Sequence, residues 1–180
     1  MKIYVLGSTA FMHSMVKARD DLKNIGLDGW IHENYDLLVT GKLTQVDEGA
    51  TSREKADRKK LFDYLRVHYK HILESDAVLI VNEPKNGIDN YIGGNVLIEM
   101  GQAYVNDKMI FFLHGMPTDL PYLDEILAMD PICLNGTLRK LKIIYNYRKI
   151  DTVITEISAQ QFGGSGRGRP AESPIFRIWC

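Results

Sequence analysis

The feature that most constrains the fold is an uninterrupted apolar run, Ala77 to Val81 (AVLIV), between Asp76 and the polar segment Asn82-Glu83-Pro84. A run without polar alternation is typical of a strand buried on both faces, as in parallel sheets that helices cover on each side. A second run, Met109 to Leu113 (MIFFL), has the same character. Together they predict an α/β domain with a parallel central sheet.

Strand and helix patterns alternate along the chain up to about residue 160. The predicted strands are Lys2 to Leu6, Leu27 to His32, Ala77 to Val81, Met109 to Leu113 and Ile132 to Leu134, and helical spacing covers Met12 to Ile25, Ser52 to Ile72, about Asn95 to Val105, Tyr122 to Met129 and Ile150 to Ile157. Asn34 to Thr51 has no clear period, so we interpret it as a long loop of the kind that often covers a site. We expect a three-layer α/β/α domain over residues 1–160, with a flavodoxin- or Rossmann-like parallel sheet of about five strands.

Residues 161–180 differ in composition from the rest. Gly163 to Cys180 begins with four Gly in six residues, continues with Arg and Pro, and ends in a short apolar run. Two interpretations stay open. The stretch is either a flexible linker whose native apolar end docks in a groove, or an appended, non-native peptide.

Composition narrows the function classes. The chain carries 22 Lys and Arg against 23 Asp and Glu, and this near-neutral balance argues against a nucleic acid polymer as partner. No apolar run approaches the roughly 20 residues of a membrane span, and no secretory signal is visible, so we expect a cytoplasmic protein without a membrane partner. The 5 His and 2 Cys lack the spacing of metal ligands, so we expect neither a metal nor another cofactor.

The candidate site lies where open parallel sheets bind ligands, beyond the carboxyl ends of the strands. Three predicted loops reach that edge: Gly7 to Phe11, Asn82 to Gly94 and His114 to Thr118. Gly7 and Ser8 suit a phosphate or a sugar hydroxyl, although the same pair also serves as an ordinary turn and helix cap. From these loops and the start of the following helix we take seven candidate substrate-binding residues: Gly7, Ser8, Asn82, Gly93, Gly94, Asn95 and His114.

The second of these loops leads into the helix that carries Glu99. Gly93 and Gly94 permit close approach of a substrate, Asn95 is expected to cap the helix, and Glu99 follows about one turn later. A carboxylate in a mostly apolar stretch can act as a nucleophile or general base at an anomeric carbon. The alternative is a Glu that only complements the helix dipole.

A family resemblance connects these residues. Tyr4-Val5-Leu6 running into Gly7-Ser8, the AVLIV strand after Ser75-Asp76, and the block Ile98 to Lys108 (IEMGQAYVNDK) before a hydrophobic strand resemble the nucleoside 2-deoxyribosyltransferases and the related deoxyribonucleoside 5′-monophosphate N-hydrolases. The resemblance covers approximately Met1 to Leu138. It implies an enzyme that cleaves or exchanges the N-glycosidic bond of a nucleoside or nucleotide, and a homodimer or larger homo-oligomer.

The resemblance also implies roles for single residues. Glu99 is the nucleophile that forms a glycosyl-enzyme intermediate, Tyr4 lies close to it, and Ser8 contacts a 5′-phosphate. Two positions differ from the family: His68 stands where it has a catalytic Asp, and Gly93 stands where the transferases have Asp and the hydrolases Ser. Because the pKa of a His lies near neutrality, His68 can transfer a proton to the leaving base, which makes Glu99, Tyr4 and His68 the expected catalytic set.

Two other classes of function stay open. In the first, the same crevice recognises a nucleotide-like ligand without turnover. In the second, the protein is structural or binds a partner, and Glu99 only caps a helix. This last interpretation predicts that Tyr4, Ser8, Glu99 and His114 do not face a common cavity, whereas an enzyme requires the Glu99 carboxyl group and the His68 imidazole within reach of proton transfer.

Overall fold

A computed structural model describes residues 1–44, 50–147, 150 and 153. Five strands form one parallel sheet in the order β2-β1-β3-β4-β5. The strands are β1 (Lys2–Gly7), β2 (Asp28–Trp30), β3 (Ala77–Val81), β4 (Met109–Phe112) and β5 (Ile132–Cys133). The helices are α1 (Met12–Asn24), α2 (Asn34–Val39), α3 (Ser52–Leu61), α4 (Tyr64–Leu73), α5 (Gly94–Val105), α6 (Leu123–Ala128) and α7, which includes residues 139–147.

The predicted three-layer α/β/α fold is confirmed. Side chains alternate along β1, so Ile3 and Val5 face one core while Tyr4 and Leu6 face the other. The first core packs the sheet against α1, α2 and α7, and the second packs it against α4, α5 and α6. All five side chains of β3 are buried, which is the two-sided burial that its apolar run predicts.

The strand order places a crevice next to β1. The chain passes from β1 to β2 on one side, whereas β3 lies on the other side of β1. In open parallel sheets the connections diverge at such a switch point, and the gap that opens beyond the carboxyl ends of the strands is where ligands bind. Here that gap lies between the segments that follow Gly7 and Val81.

The structure corrects three details of the sequence prediction. The prediction of a loop over Asn34 to Thr51 is wrong at its start, where α2 forms with Tyr35 as its buried anchor. The single helix expected from Ser52 to Ile72 is interrupted, because Asp63 adopts a left-handed backbone conformation (φ 49°) between α3 and α4. The strand expected over Leu27 to His32 is limited to the three residues of β2.

Several predictions concern residues outside the described ranges. The helix expected from Ile150 to Ile157 is described only at Ile150 and Val153, both of which are helical. Gly163 to Cys180 lies entirely outside these ranges. No helix within the described part of the chain is long and apolar enough to cross a membrane.

Candidate active site

Glu99 is buried in the middle of α5, where only 7% of the residue is exposed. It shares the inward face of this helix with Val96, Met100 and Ala103, which pack against the sheet. The expectation that Asn95 caps α5 is wrong: Gly93 occupies the N-cap position, and the Asn95 side-chain oxygen accepts a hydrogen bond from Lys59 of α3 at 2.8 Å.

Glu99 is connected through His68 to a series of ionisable side chains from β1 and α4. His68 Nδ1, from α4, lies 3.3 Å from Glu99 Oε1. Tyr4 Oη, from β1, lies 2.9 Å from the same His68 nitrogen. Tyr4 Oη also lies 3.2 Å from Nδ1 of His71, so the hydroxyl stands between two imidazoles. Of the catalytic set expected from the sequence, His68 therefore contacts both Tyr4 and Glu99.

Local structure explains how these side chains converge. Tyr4 is directed toward α4 and α5 by the alternation of β1. His68 and His71 are three residues apart, so they lie on the same face of α4. α4 and α5 pack side by side on that face of the sheet, which brings the imidazole of His68 onto the carboxyl group of Glu99.

Aromatic rings enclose the Tyr4 side of this cluster. The ring of Trp30 lies 4.8 Å from that of Tyr4 and 4.7 Å from that of His71, between centroids. Its indole N–H donates to the Ser75 hydroxyl at 3.0 Å, which fixes the ring. His32 stacks on His68 with 5.5 Å between ring centroids and 22° between ring planes. This packing buries the cluster and restrains its side chains.

Burial determines the charge of the central pair. It raises the pKa of Glu99 to about 8, although the nearby Lys59 ammonium opposes this change. Burial also lowers the pKa of His68 to about 4, with a smaller contribution from His32 and His71. Desolvation raises the pKa of Tyr4 above its ordinary value. At neutral pH the pair therefore consists of a carboxylic acid and a neutral imidazole, and it holds one transferable proton.

A second polar group lies at the carboxyl ends of β1 and β3. The Lys85 ammonium donates to the Ser8 hydroxyl at 3.0 Å and lies 5.5 Å from the centre of the Tyr91 ring. A tight turn sets its position, because Asn86 and Gly87 both have positive φ angles (55° and 77°) between the paired residues Lys85 and Ile88. An ammonium group beside a hydroxyl group can bind a phosphate group, because both donate hydrogen bonds to phosphate oxygens.

Among the other candidate substrate-binding residues, Gly7 and Gly93 lie in close packing contacts and Asn82 makes hydrogen bonds between loops. A Cβ atom on Gly7 would lie 3.0 Å from both Met15 Sδ and the Val81 carbonyl, so this glycine permits close packing. A Cβ atom on Gly93 would touch the ring of Tyr91 at 3.3 Å, whereas Gly94 faces open space. The Asn82 amide accepts from the His114 backbone N–H at 3.0 Å and donates to the Gly115 carbonyl at 2.8 Å, so it ties two loops together.

His114 lies apart from the Glu99 cluster. It lines a cleft of about 200 Å³ on the α1 side of the sheet, together with Lys17 and Asp21 of α1 and with Glu83. The structure thus brings Tyr4, His68 and Glu99 together and places Ser8 with Lys85. Tyr4, Ser8 and Glu99 do not line the cleft of His114, so the four residues do not share that cavity, which is the outcome that the structural interpretation predicts.

Four residues of the site carry no role in the sequence interpretation: Trp30, His32, His71 and Lys59. The alternation of β1 and its parallel pairing place Tyr4 opposite Trp30, so the register of β2 is the signal that could have found Trp30. The three-residue spacing of His68 and His71 was visible, but it identifies a site only once α4 is known to face Tyr4.

Within residues 1–44 and 50–147 no group of three or more His, Cys, Asp or Glu side chains is arranged to hold a metal ion. Comparisons of the chain with protein-family models, with curated proteins and with solved structures find no match.

Proposed function

We propose that this protein cleaves or exchanges the N-glycosidic bond of a nucleoside or nucleotide, with Glu99 as the nucleophile. One observation carries the proposal: the buried carboxyl group of Glu99 contacts the imidazole of His68 at 3.3 Å. Buried titratable groups whose pKa values lie far from their ordinary values are typical of active sites. The resemblance of the Tyr4 strand and the Ile98 to Lys108 block to the deoxyribosyltransferases and N-hydrolases supports the same reaction.

The pair supplies both groups that the reaction needs. Transfer of the Glu99 proton to His68 Nδ1 produces a carboxylate nucleophile and an imidazolium acid in one step. The carboxylate oxygen then forms a bond to the anomeric carbon as the bond from that carbon to the base nitrogen breaks, and His68 returns the proton to the departing base. Water or a second base next attacks the anomeric carbon as the bond from that carbon to the Glu99 oxygen breaks, and His68 accepts the proton of this nucleophile. Return of that proton from His68 to the Glu99 carboxylate restores the resting pair.

The number of protons on the Glu99 and His68 pair predicts that the rate of base release falls at alkaline pH. Above the Glu99 pKa of about 8 the pair loses its single proton, so no acid is left for the departing base. The rate of base release is therefore expected to fall above about pH 8.

A nucleoside 5′-monophosphate is the substrate class that the second polar group favours. Ser8 follows the carboxyl end of β1 and Lys85 follows the carboxyl end of β3. The N-terminus of α5 follows the same loop as Lys85. A phosphate dianion can replace the Ser8 oxygen as acceptor for the Lys85 ammonium and accept the Ser8 hydroxyl hydrogen in addition. Lys85→Met is expected to raise KM for a monophosphate at least tenfold and to leave a nucleoside unaffected.

Self-association is part of the proposal. The outer face of α5 exposes Ile98, Tyr104 and Val105, and the one charged residue of this helix, Glu99, is buried. Contiguous exposed apolar surface of this kind is typical of protein–protein contacts, and a two-fold dimer covers the patch with its own copy. Sedimentation equilibrium is expected to find an oligomer for the native chain and a monomer for Val105→Glu. A monomeric native chain would contradict this part.

The decisive assay is release of free base, measured by chromatography, from a panel of ribo- and deoxyribonucleosides and their 5′-monophosphates. Glu99→Gln keeps the shape of the side chain but removes its nucleophilic oxygen, so it is expected to lower the rate at least about 10³-fold. Glu125→Gln, at an exposed position in α6, is the matched control and is expected to keep full activity. No base release from any member of the panel sinks the proposal.

A binding module without turnover is the second candidate, and the enclosure of Glu99 favours it. Such a protein gains thermal stability from a nucleotide by mass action but leaves the nucleotide intact. A rise in Tm with a monophosphate that elutes unchanged therefore selects the module. Lys85→Met is expected to lose this rise in Tm whichever candidate is right, because the enzyme and the binding module both bind the phosphate through Lys85.

A further inference from the structure

The hydrogen bonds around Tyr4 can be satisfied in two ways, which differ in where the protons lie. Its hydroxyl has one hydrogen, yet it lies within hydrogen-bond distance of two Nδ1 atoms, those of His68 and His71. One imidazole nitrogen must therefore accept the hydrogen while the other donates its own N–H to the Tyr4 oxygen. The same His68 nitrogen also faces Glu99 Oε1, so the direction in which the Tyr4 hydroxyl donates affects the protonation of the Glu99 carboxyl group.

Two arrangements satisfy these contacts. In the first, His71 Nδ1–H donates to Tyr4, the Tyr4 hydroxyl donates to His68 Nδ1, and that nitrogen, now an acceptor, faces a protonated Glu99. In the second, which is the activated state and not the resting carboxylic acid and neutral imidazole, the Tyr4 hydroxyl donates to His71 Nδ1, and His68 Nδ1–H points to the Tyr4 oxygen and to a Glu99 carboxylate. In passing to the second arrangement, Glu99 gives its proton to His68, and His71 Nδ1 gives one to solvent.

We infer that His71 is a positioning residue that acts through Tyr4. Neutral His71 accepts a hydrogen bond from the Tyr4 hydroxyl, which leaves His68 Nδ1 able to take the proton of Glu99. Protonated His71 donates to the Tyr4 oxygen instead, so the Tyr4 hydroxyl donates to His68 and Glu99 stays a carboxylic acid. The inference rests on the proposed function for the catalytic meaning of Glu99. The coupling between His71 and Glu99 does not depend on it.

The position of His71 suits this role. It is only partly buried, in contrast to Tyr4, so it exchanges protons with solvent while Tyr4 does not. The charged and titratable groups around it come from several elements: Lys2 and Tyr4 of β1, Glu74 at the end of α4, Glu33 before α2, and His32 after β2. Burial and the Lys2 ammonium lower the pKa of His71, while Glu74 and Glu33 oppose that change.

Two substitutions separate the positioning role from packing. His71→Asn keeps a polar atom near the place of Nδ1, which accepts from Tyr4 at every pH because the amide does not titrate. His71→Phe keeps the ring but has no acceptor, so it leaves the Tyr4 hydroxyl on His68. His13→Asn, at an exposed position of α1, is the matched control.

The first measurement is NMR of the full-length protein with ¹⁵N-labelled imidazoles and ¹³C-labelled glutamate, followed from pH 4 to pH 9. In the native chain His71 Nδ1 is expected to be an acceptor at neutral pH and protonated at acid pH. The midpoint of the Glu99 carboxyl titration is expected to be higher in His71→Phe than in His71→Asn, and unchanged in His13→Asn. A neutral His71 with its hydrogen on Nδ1, or equal Glu99 midpoints in both His71 variants, overturns the inference.

The second measurement is the pH profile of base release. The acid limb of the native chain is expected below pH 6.5, and in His71→Asn it should move down toward about 4, where His68 titrates. His71→Phe is expected to lower kcat at least about tenfold, with KM little changed. An acid limb unmoved in His71→Asn contradicts the inference even in an active enzyme. If no base is released but the Glu99 midpoint responds to His71, the coupling stands and the proposed function fails.

Discussion

At the scale of the residue, the Glu99 and His68 pair makes stability depend on pH in two opposite directions. Folding raises the pKa of Glu99 from 4.5 to about 8, so the folded chain binds more protons than the unfolded chain between these values, and this contribution to stability falls as pH rises. Folding lowers the pKa of His68 from 6.5 to about 4, so its contribution rises with pH between 4 and 6.5. The two slopes oppose each other between 4.5 and 6.5, and only the Glu99 slope remains from 6.5 to 8.

Glu99→Gln therefore changes the pH dependence of unfolding as well as activity. The free energy of unfolding of the native chain is expected to fall from about pH 6.5 to 8, with a total contribution from Glu99 of the order of a few kcal/mol. In Glu99→Gln that fall should disappear, and the rise from His68 between pH 4 and 6.5 should become visible. Urea titrations at five pH values measure this. A parallel pH dependence in both proteins would mean that Glu99 is not protonated in the folded state.

The resemblance to the deoxyribosyltransferases and N-hydrolases selected Tyr4 and His68 and, together with the residue pattern of its helix, Glu99. In the structure, contacts at 2.9 and 3.3 Å connect these three side chains. His71 and Trp30 could not be assigned a role, because their importance depends on which face of α4 and of β2 meets Tyr4. That information lies in tertiary packing and not in local pattern.

At the scale of the element, the connection between α3 and α4 is the clearest departure from the sequence pattern. The apolar spacing of Leu61 and Leu65 continues across it, so period alone predicts one helix, yet Asp63 turns the backbone into the left-handed region. α3 buries none of its residues and is held by a capping box at Thr51 and by the bond from Lys59 to Asn95. A helix without a buried face gives no apolar signal from which its end can be predicted.

The left-handed backbone conformation of Asp63 limits which residue types this position tolerates. Asp63→Gly accepts the same φ angle without strain and is expected to stay within about 0.5 kcal/mol of the native free energy of unfolding. Asp63→Val places a β-branched side chain at a positive φ and is expected to cost about 1–2 kcal/mol. Chemical denaturation of both variants measures the difference. Equal stabilities would argue against a left-handed residue at this position.

Close packing of α1 on β2 explains Gly29. A Cβ atom there would lie 2.7 Å from Leu22 Cβ and 2.8 Å from the Arg19 carbonyl oxygen, which is fixed backbone. Gly29→Ala is therefore expected to lower the free energy of unfolding by about 1–3 kcal/mol. Gly101→Ala is the matched control, because nothing lies within 4 Å of its Cβ position and alanine favours the helix by about 0.5–1 kcal/mol. Thermal melts in which both variants shift Tm in the same direction would contradict this packing.

At the scale of the whole molecule, the order of strands explains why a site forms at all. The apolar runs of β3 and β4 predicted a parallel sheet with helices on both faces, and the structure has this arrangement. The order β2-β1-β3-β4-β5 could not be read from the sequence, because it depends on which side of β1 each connection takes. That order brings Ser8 and Lys85 to one crevice, and His114 lines a separate cleft on the α1 side of the sheet.

The central claim is that Glu99 becomes covalently attached to the sugar. Its most direct test is mass spectrometry of the protein after rapid acid quench during turnover of a deoxyribonucleoside 5′-monophosphate, followed by peptide mapping. We predict an added mass of one deoxyribosyl phosphate group on the Glu99 side chain of the native chain, and no such mass in Glu99→Gln. Base release without an adduct on Glu99, or an adduct on another side chain that persists in Glu99→Gln, would contradict the claim.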